Sequence, residues 1–202
     1  MREFPIYKEP VIEVIEDLEV LRTIKNDFAW DIETNSIKGH SKESKIISVA
    51  ICDSEERVFV FLMPQKRSQR LPLVELLENP NIGKYGHNLK FEHSWIECKL
   101  GITVQGWKLD TMLMCHCEDN RQGITSLKFQ TLVNFGIFDY SSEIEPYLKA
   151  KEEKNANSIN RIEELISTES GKQQLLKYNA LDAYYTYLLA KRQELNLIPS
   201  KL

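Results

Sequence analysis

Residues Phe28 to Glu33 alternate strictly: Phe28, Trp30 and Ile32 are bulky and apolar, whereas Ala29, Asp31 and Glu33 are small or acidic. A period of two marks a strand and sends alternate side chains to opposite faces of a sheet. One face of this strand must therefore meet an apolar layer, while Asp31 and Glu33 stand together on the other. Two carboxylates beside a central strand repel each other and are costly to desolvate. Two readings fit such a pair. Either a divalent cation relieves the repulsion, since hard oxygen ligands suit Mg²⁺ and Mn²⁺, or the strand ends at Glu33 and both acids face water.

The rest of the chain supplies the layers. Ile46 to Cys52 and Arg57 to Met63 are apolar, β-branched runs joined by the polar turn Asp53-Ser54-Glu55-Glu56, a pattern that predicts an antiparallel hairpin. Leu71 to Glu78 predicts a helix stopped by Asn79-Pro80-Asn81. Ile82 to Tyr85 reads as a short strand, Gly86 as a break, and Asn88 to Leu100 as a helix. Gly106 to Leu109 is a further short strand before Asp110, an N-cap for a helix through Cys117. Helices are expected over 124–134, 158–167 and 171–195, with a short helix over Asp17 to Lys25 and a candidate extra strand over Pro10 to Val14. This order predicts one α/β domain over residues 1–202, a mixed sheet of about five strands with helices on both faces. Lys149 to Asn157 is polar and charge-rich and reads as a mobile loop inside that domain.

Composition narrows the setting. With 202 residues, 42% of them hydrophobic, the chain has material for one sizeable core. No apolar run is long enough to span a bilayer, and Met1 to Pro5 opens no signal-peptide pattern, so the expected location is the cytoplasm. Cys115-His116-Cys117 is the only cysteine cluster, and its single intervening residue is the wrong gap for a zinc chelate; buried reduced thiols on a helix are expected instead. The net charge of −4 excludes a protein that grips duplex DNA over a broad basic surface. An acidic protein that acts on nucleic acid needs a local basic patch or bound cations.

Two further constellations carry candidate chemistry. Tyr178 and Asp182 are four apart on the long C-terminal helix and share a face that continues through Tyr185 and Leu189. In Gly86-His87-Asn88-Leu89-Lys90-Phe91-Glu92 a strand ends and a helix begins, with Asn88 and Glu92 one turn apart and Phe91 and Trp95 packed inward. Each is ordinary when taken alone: a Tyr–Asp pair on an amphipathic helix, a helix start with a solvated glutamate. Taken in order, Asp31-Ile32-Glu33-Thr34, Asn88 to Glu92, and Tyr178 to Asp182 resemble the three exonuclease motifs of the proofreading domain of family-A DNA polymerases. These belong to the DnaQ-like group with a tyrosine in the third motif (DEDDy), and the resemblance covers residues 28–195, with Asp110-Thr111 also fitting. The histidine subclass places its base five residues before the acid, where this chain has Lys177.

The resemblance implies a ribonuclease H-like fold and a 3′→5′ exonuclease that releases nucleoside 5′-monophosphates from DNA 3′ ends. It implies two divalent cations, Mg²⁺ or Mn²⁺: one held by Asp31, Glu33 and Asp182, the other by Asp31 and the substrate phosphate with Glu92 in its outer shell. Tyr178 would orient the attacking water. Thr34 and Asn88 would contact the terminal nucleotide and Ile37 would wedge between the last two bases. The implied partner is a single-stranded DNA 3′ end; a stand-alone nuclease, a subunit that meets a separate polymerase and a fragment of a longer protein all remain open. Glu92 departs from the family's usual aspartate and carries its charge about 1.5 Å further out. Two alternatives remain open: a ribonuclease D-like exoribonuclease, and an exonuclease fold kept as a nucleic-acid-binding or polymerase-docking module. His87 and His93 are expected to be structural hydrogen-bonding groups, Asp110 a cap first and an acid second, and Lys66, Arg67 and Arg70 a solvated basic loop.

Overall fold

The computed structural model describes residues 9–149 and 159–197. Strand β2, Phe28–Thr34, lies near the middle of the sheet. It pairs antiparallel with β3, Ile46–Cys52, which forms the predicted hairpin with β4, Arg57–Leu62. On its other side β2 runs parallel to β5, Lys84–Gly86, and β5 runs parallel to β6, Trp107–Asp110. The sheet has six strands rather than five, because β1, Val11–Val14, adds to β4 in parallel. The candidate strand over Pro10 to Val14 is thus real, but it is an edge of only four residues whose Val11 and Val14 are exposed. A short exposed edge carries little of the alternation that betrays a strand.

Trp30 pairs with Ile51 and Ile32 with Val49, so the bulky residues of β2 and β3 share one face. Helices α1, Leu71–Glu78, and α2, Leu89–Leu100, cover that face through Leu73, Leu77, Trp95 and Ile96. The opposite face is lined by the small residues Ala29 and Ala50 and is covered by α7, Glu169–Leu197. Residues 178–190 of α7 are buried without a break, so this stretch of the helix is enclosed on every side, while the ends of α7 carry exposed residues. Its outer flank meets α3, Thr111–Glu118, and α4, Leu127–Phe135. Two single-turn helices, α5, Glu145–Leu148, and α6, Ile162–Leu165, complete the set. The helix expected over 158–167 shrinks to α6, and the one expected over 124–134 starts later, at Leu127, where Ser126 caps it. The loop expected over Lys149 to Asn157 lies outside the described residues apart from Lys149. No helix among the described residues is long and apolar enough to cross a membrane.

Asp110 ties the sheet to two helices at once. Its carboxylate accepts from the Met112 and Leu113 amides, capping α3, and from the Asn88 and Leu89 amides at the start of α2. Asn88 itself sits in the left-handed region (φ 77°), which asparagine tolerates better than most residues. A Cβ at the neighbouring Gly86 would displace the end of the Leu89 side chain.

Candidate active site

Alternation aims Asp31 and Glu33 away from the Trp30 layer and toward α7. The small Ala29 and Ala50, and Ala180 and Ala183 on the helix, let α7 approach closely enough for Asp182 to meet them. Carboxylate oxygens of Asp31, Glu33 and Asp182 lie within 4.8 Å of one another. At that spacing each like-charged pair repels by about 3–4 kcal/mol for an effective dielectric near 20. Asp31 and Glu33 are partly buried, and Asp182 is buried. Burial first, and the neighbouring carboxylates second, hold Asp31 and Glu33 well above the usual carboxylate range. Burial pushes Asp182 up to about 6, against hydrogen bonds from Tyr140 and Tyr178 and the attraction of Lys128. The second of the two readings for the strand acids, free exposure to water, is therefore wrong: β2 continues to Thr34 and α7 roofs the pair.

Glu92 rises from the first turn of α2 and is buried at 3% exposure. It stands outside the 4.8 Å group, yet burial and the Asp31 charge both raise its pKa well above normal. Its Oε2 has no hydrogen-bond partner. A buried acceptor without a donor, beside three crowded carboxylates, is a donor set suited to hard divalent cations. Tyr178 is buried and hydrogen-bonds Asp182, and burial followed by the Asp182 charge raises its pKa so far that it stays a neutral phenol.

The other residues singled out by the sequence divide. Ile37, 69% exposed, and Asn88 line one cavity of about 290 Å³ together with Lys38, His40, Lys90 and Phe91. Thr34 is buried, and its hydroxyl donates to the Ser36 carbonyl at 2.7 Å. His87 Nδ1 lies 2.8 Å from the Thr111 hydroxyl, and burial lowers its pKa to about 4; His93 Nδ1 accepts from the Trp107 indole at 3.3 Å. Arg70 is turned onto its own loop, donating to the Pro64 and Gln65 carbonyls, while Lys66 and Arg67 are exposed. Of the two helical thiols expected to be buried, Cys115 is buried and accepts from Gln193, but Cys117 is exposed, because the two fall on different sides of α3.

Three neighbours of the acids have no role in the motifs, although Asn179 lies inside the third. The Asn179 amide donates to Asp31 Oδ2 at 2.6 Å and in turn accepts from the Ser48 hydroxyl at 2.8 Å. The Tyr140 hydroxyl donates to Asp182 Oδ1 at 2.6 Å. Lys128, paired with Glu145 at 3.2 Å, pulls the pKa values of Glu33 and Asp182 down. A signal existed for Asn179, since a polar residue beside Tyr178 on an otherwise enclosed helix must find a partner. Tyr140 follows α4 in a stretch with no periodicity, and nothing local marks it.

Residues 11–197 match the family model described as 3′-5′ exonuclease, of DNA polymerase A type. No curated protein sequence matches the chain. Among solved structures it is similar in fold to NrnC of Brucella melitensis bound to pGG (TM-score 0.66, 16% identity, 94% of this chain and 82% of that one). The same nuclease is also known with bound Mg²⁺. Escherichia coli RNase D, an exoribonuclease involved in structured RNA processing, aligns with TM-score 0.62 and 15% identity over 93% of this chain and 45% of its own. The polymerase domain of Pol1 from M. smegmatis, in complex with DNA primer-template and dNTP, aligns with TM-score 0.62 and 16% identity over 94% of this chain and 27% of its own. With the family model spanning nearly the whole chain, the protein belongs to the DNA polymerase A type of 3′–5′ exonucleases, hydrolases on a ribonuclease H-like fold.

Proposed function

We propose that this exonuclease removes nucleotides one at a time from single-stranded or frayed DNA 3′ ends, releasing nucleoside 5′-monophosphates. The observation that carries this reading is the meeting of Asp31, Glu33 and Asp182, from opposite ends of the chain, within 4.8 Å and beside the Tyr178 phenol. A cluster so crowded has no structural use, since each charge in it opposes folding. Asp31, Glu33 and Asp182 would hold one divalent cation, and Asp31 with Glu92 would face a second. Mg²⁺ or Mn²⁺ bound there supplies the positive charge that a phosphodiester and an acidified water both need.

The protein's own groups do the rest. Glu33 accepts a hydrogen bond from the attacking water and orients it, and Tyr178, fixed as a neutral phenol, donates or accepts at the same water without acting as a base. Ile37 and Asn88 share a cavity flanked by Lys38 and Lys90. That is a small apolar and cationic groove of the kind that takes a terminal base and its upstream phosphates. It supplies the local basic surface that the net charge of −4 demands.

DNA is favoured by the polymerase-A type of the family model, and proofreading or repair beside a separate polymerase is the setting that fits. A second reading, a short-RNA substrate, is favoured by the likeness to NrnC bound to pGG and to RNase D. Matched 5′-labelled DNA and RNA oligonucleotides, digested with Mg²⁺ with and without a complementary template, decide between them. Faster stepwise shortening of unpaired DNA supports the proposal. Faster shortening of RNA replaces it with the second reading.

A further inference from the structure

Asp31 and Asp182 repel each other, and the groups that hold each of them in place are neutral. Asn179, wholly buried, directs its amide at Asp31 Oδ2 from 2.6 Å. Its orientation is locked, because the buried Ser48 hydroxyl donates to Asn179 Oδ1 at 2.8 Å and leaves only the NH₂ group to face the carboxylate. Tyr140 directs its hydroxyl at Asp182 Oδ1 from 2.6 Å, and its ring is wedged against Tyr178 and Tyr185 at centroid distances of 5.9 and 5.2 Å. We propose that Asn179 and Tyr140 are positioning residues, a pair of uncharged donors that clamp Asp31 and Asp182 in ligand geometry before any cation arrives.

The choice of donor matters. A lysine or arginine in either place would also hold its carboxylate, but it would neutralise the charge that attracts the cation. An amide and a phenol fix the oxygen and leave the charge intact. Each occupies one oxygen and leaves its carboxylate with lone pairs for a metal. The clamp also divides labour between the two tyrosines on Asp182. Tyr140 holds the carboxylate, so Tyr178 is free to leave it and meet the attacking water.

This inference rests on the reading of the acids as a divalent-cation site, and the test separates the two. Mn²⁺ affinity is measured by titration calorimetry on the full chain without nucleic acid, for the wild type, Asn179→Ala, Tyr140→Phe and Ser48→Ala. Turnover and KM on a 5′-labelled oligonucleotide are then followed against Mn²⁺ concentration. Asn179→Ala and Tyr140→Phe should each weaken Mn²⁺ about tenfold, as lost partners of metal ligands do. Turnover should recover largely at high Mn²⁺, with KM for the oligonucleotide unchanged. Ser48→Ala, which keeps Asn179 but unlocks its amide, should give a smaller shift in the same direction, and it serves if Asn179→Ala fails to fold. Folded variants that bind Mn²⁺ as the wild type does overturn the clamp and leave the metal site standing. A wild type that binds no Mn²⁺ overturns the metal site and the clamp with it.

Discussion

The two faces of β2 make opposite demands on the same short strand. On one, Phe28 and Trp30 are wholly buried and Ile32 is 4% exposed, packed with Phe59, Phe61, Leu73 and Trp95. On the other, Asp31 and Glu33 face a third carboxylate across a narrow gap. The first face supplies stability through apolar burial, roughly 1.5–3 kcal/mol for each large side chain. The second costs stability, because each ionised acid is both desolvated and repelled. The dry face thus holds rigid a strand whose other face would spread apart if left to itself. Folding energy and chemistry sit one residue apart and should be separable by mutation.

The largest separation should come from the acids. Asp31→Ala or Asp182→Ala should lower cleavage of a 5′-labelled oligonucleotide by at least about 10³-fold, while the thermal midpoint of the metal-free protein stays level or rises. Near-normal cleavage by Asp182→Ala would erase the contrast between the two faces. The reverse effect belongs to Trp30→Ala, which should cost about 3–5 kcal/mol in chemical denaturation and leave turnover per folded molecule little changed. Tyr178→Phe should slow turnover by about 10- to 100-fold at unchanged KM, at or below the low end of the range for general acid–base groups, as expected of a residue that orients the water without taking its proton.

A pH series probes the same contrast. Asp182 in the folded chain titrates at about 6, above its ordinary 3.8, and Asp31 and Glu33 are also raised. A raised carboxylate favours the folded state while protonated, so metal-free stability should fall as pH rises from about 4 through 6. Cations at the proposed site would bind the ionised acids. The rise in melting temperature on adding Mg²⁺ should therefore be larger at pH 8 than at pH 5, and an equal rise at both would mean that the ion binds elsewhere. The smallest effect is expected of Glu92→Asp, about threefold or less on turnover, since under the proposed outer-shell role the charge is kept and only the reach changes. Complete loss would show a site built around the longer side chain.

Much of this was legible in the sequence because two periodicities are strong here. Period two placed Asp31 and Glu33 on one face of β2, and the four-residue step placed Tyr178 with Asp182 on α7. The hairpin of β3 and β4 followed from two apolar runs and a polar turn. What stayed hidden depended on tertiary approach. Asn179 meets Asp31 only because four alanines let α7 settle close to the sheet. Tyr140 reaches Asp182 from an irregular stretch after α4, across a separation of 42 residues. Asp110 looked like the cap of one helix and proved to cap two, since β6 runs beside β5 and ends level with the start of α2.

If two neighbouring carboxylates of β2 and a remote one on α7 form a divalent-cation site that hydrolyses 3′ ends, cleavage must need both the acids and the ion. A timed Mg²⁺ digestion of a 5′-labelled single-stranded DNA, run alongside Asp31→Ala and a chelator control, puts both requirements in one measurement. The expected result is a ladder that shortens by single nucleotides from the 3′ end, with 5′-monophosphates as product, and an intact band in both controls. Shortening that persists in the chelator, or in Asp31→Ala at the wild-type rate, would contradict it.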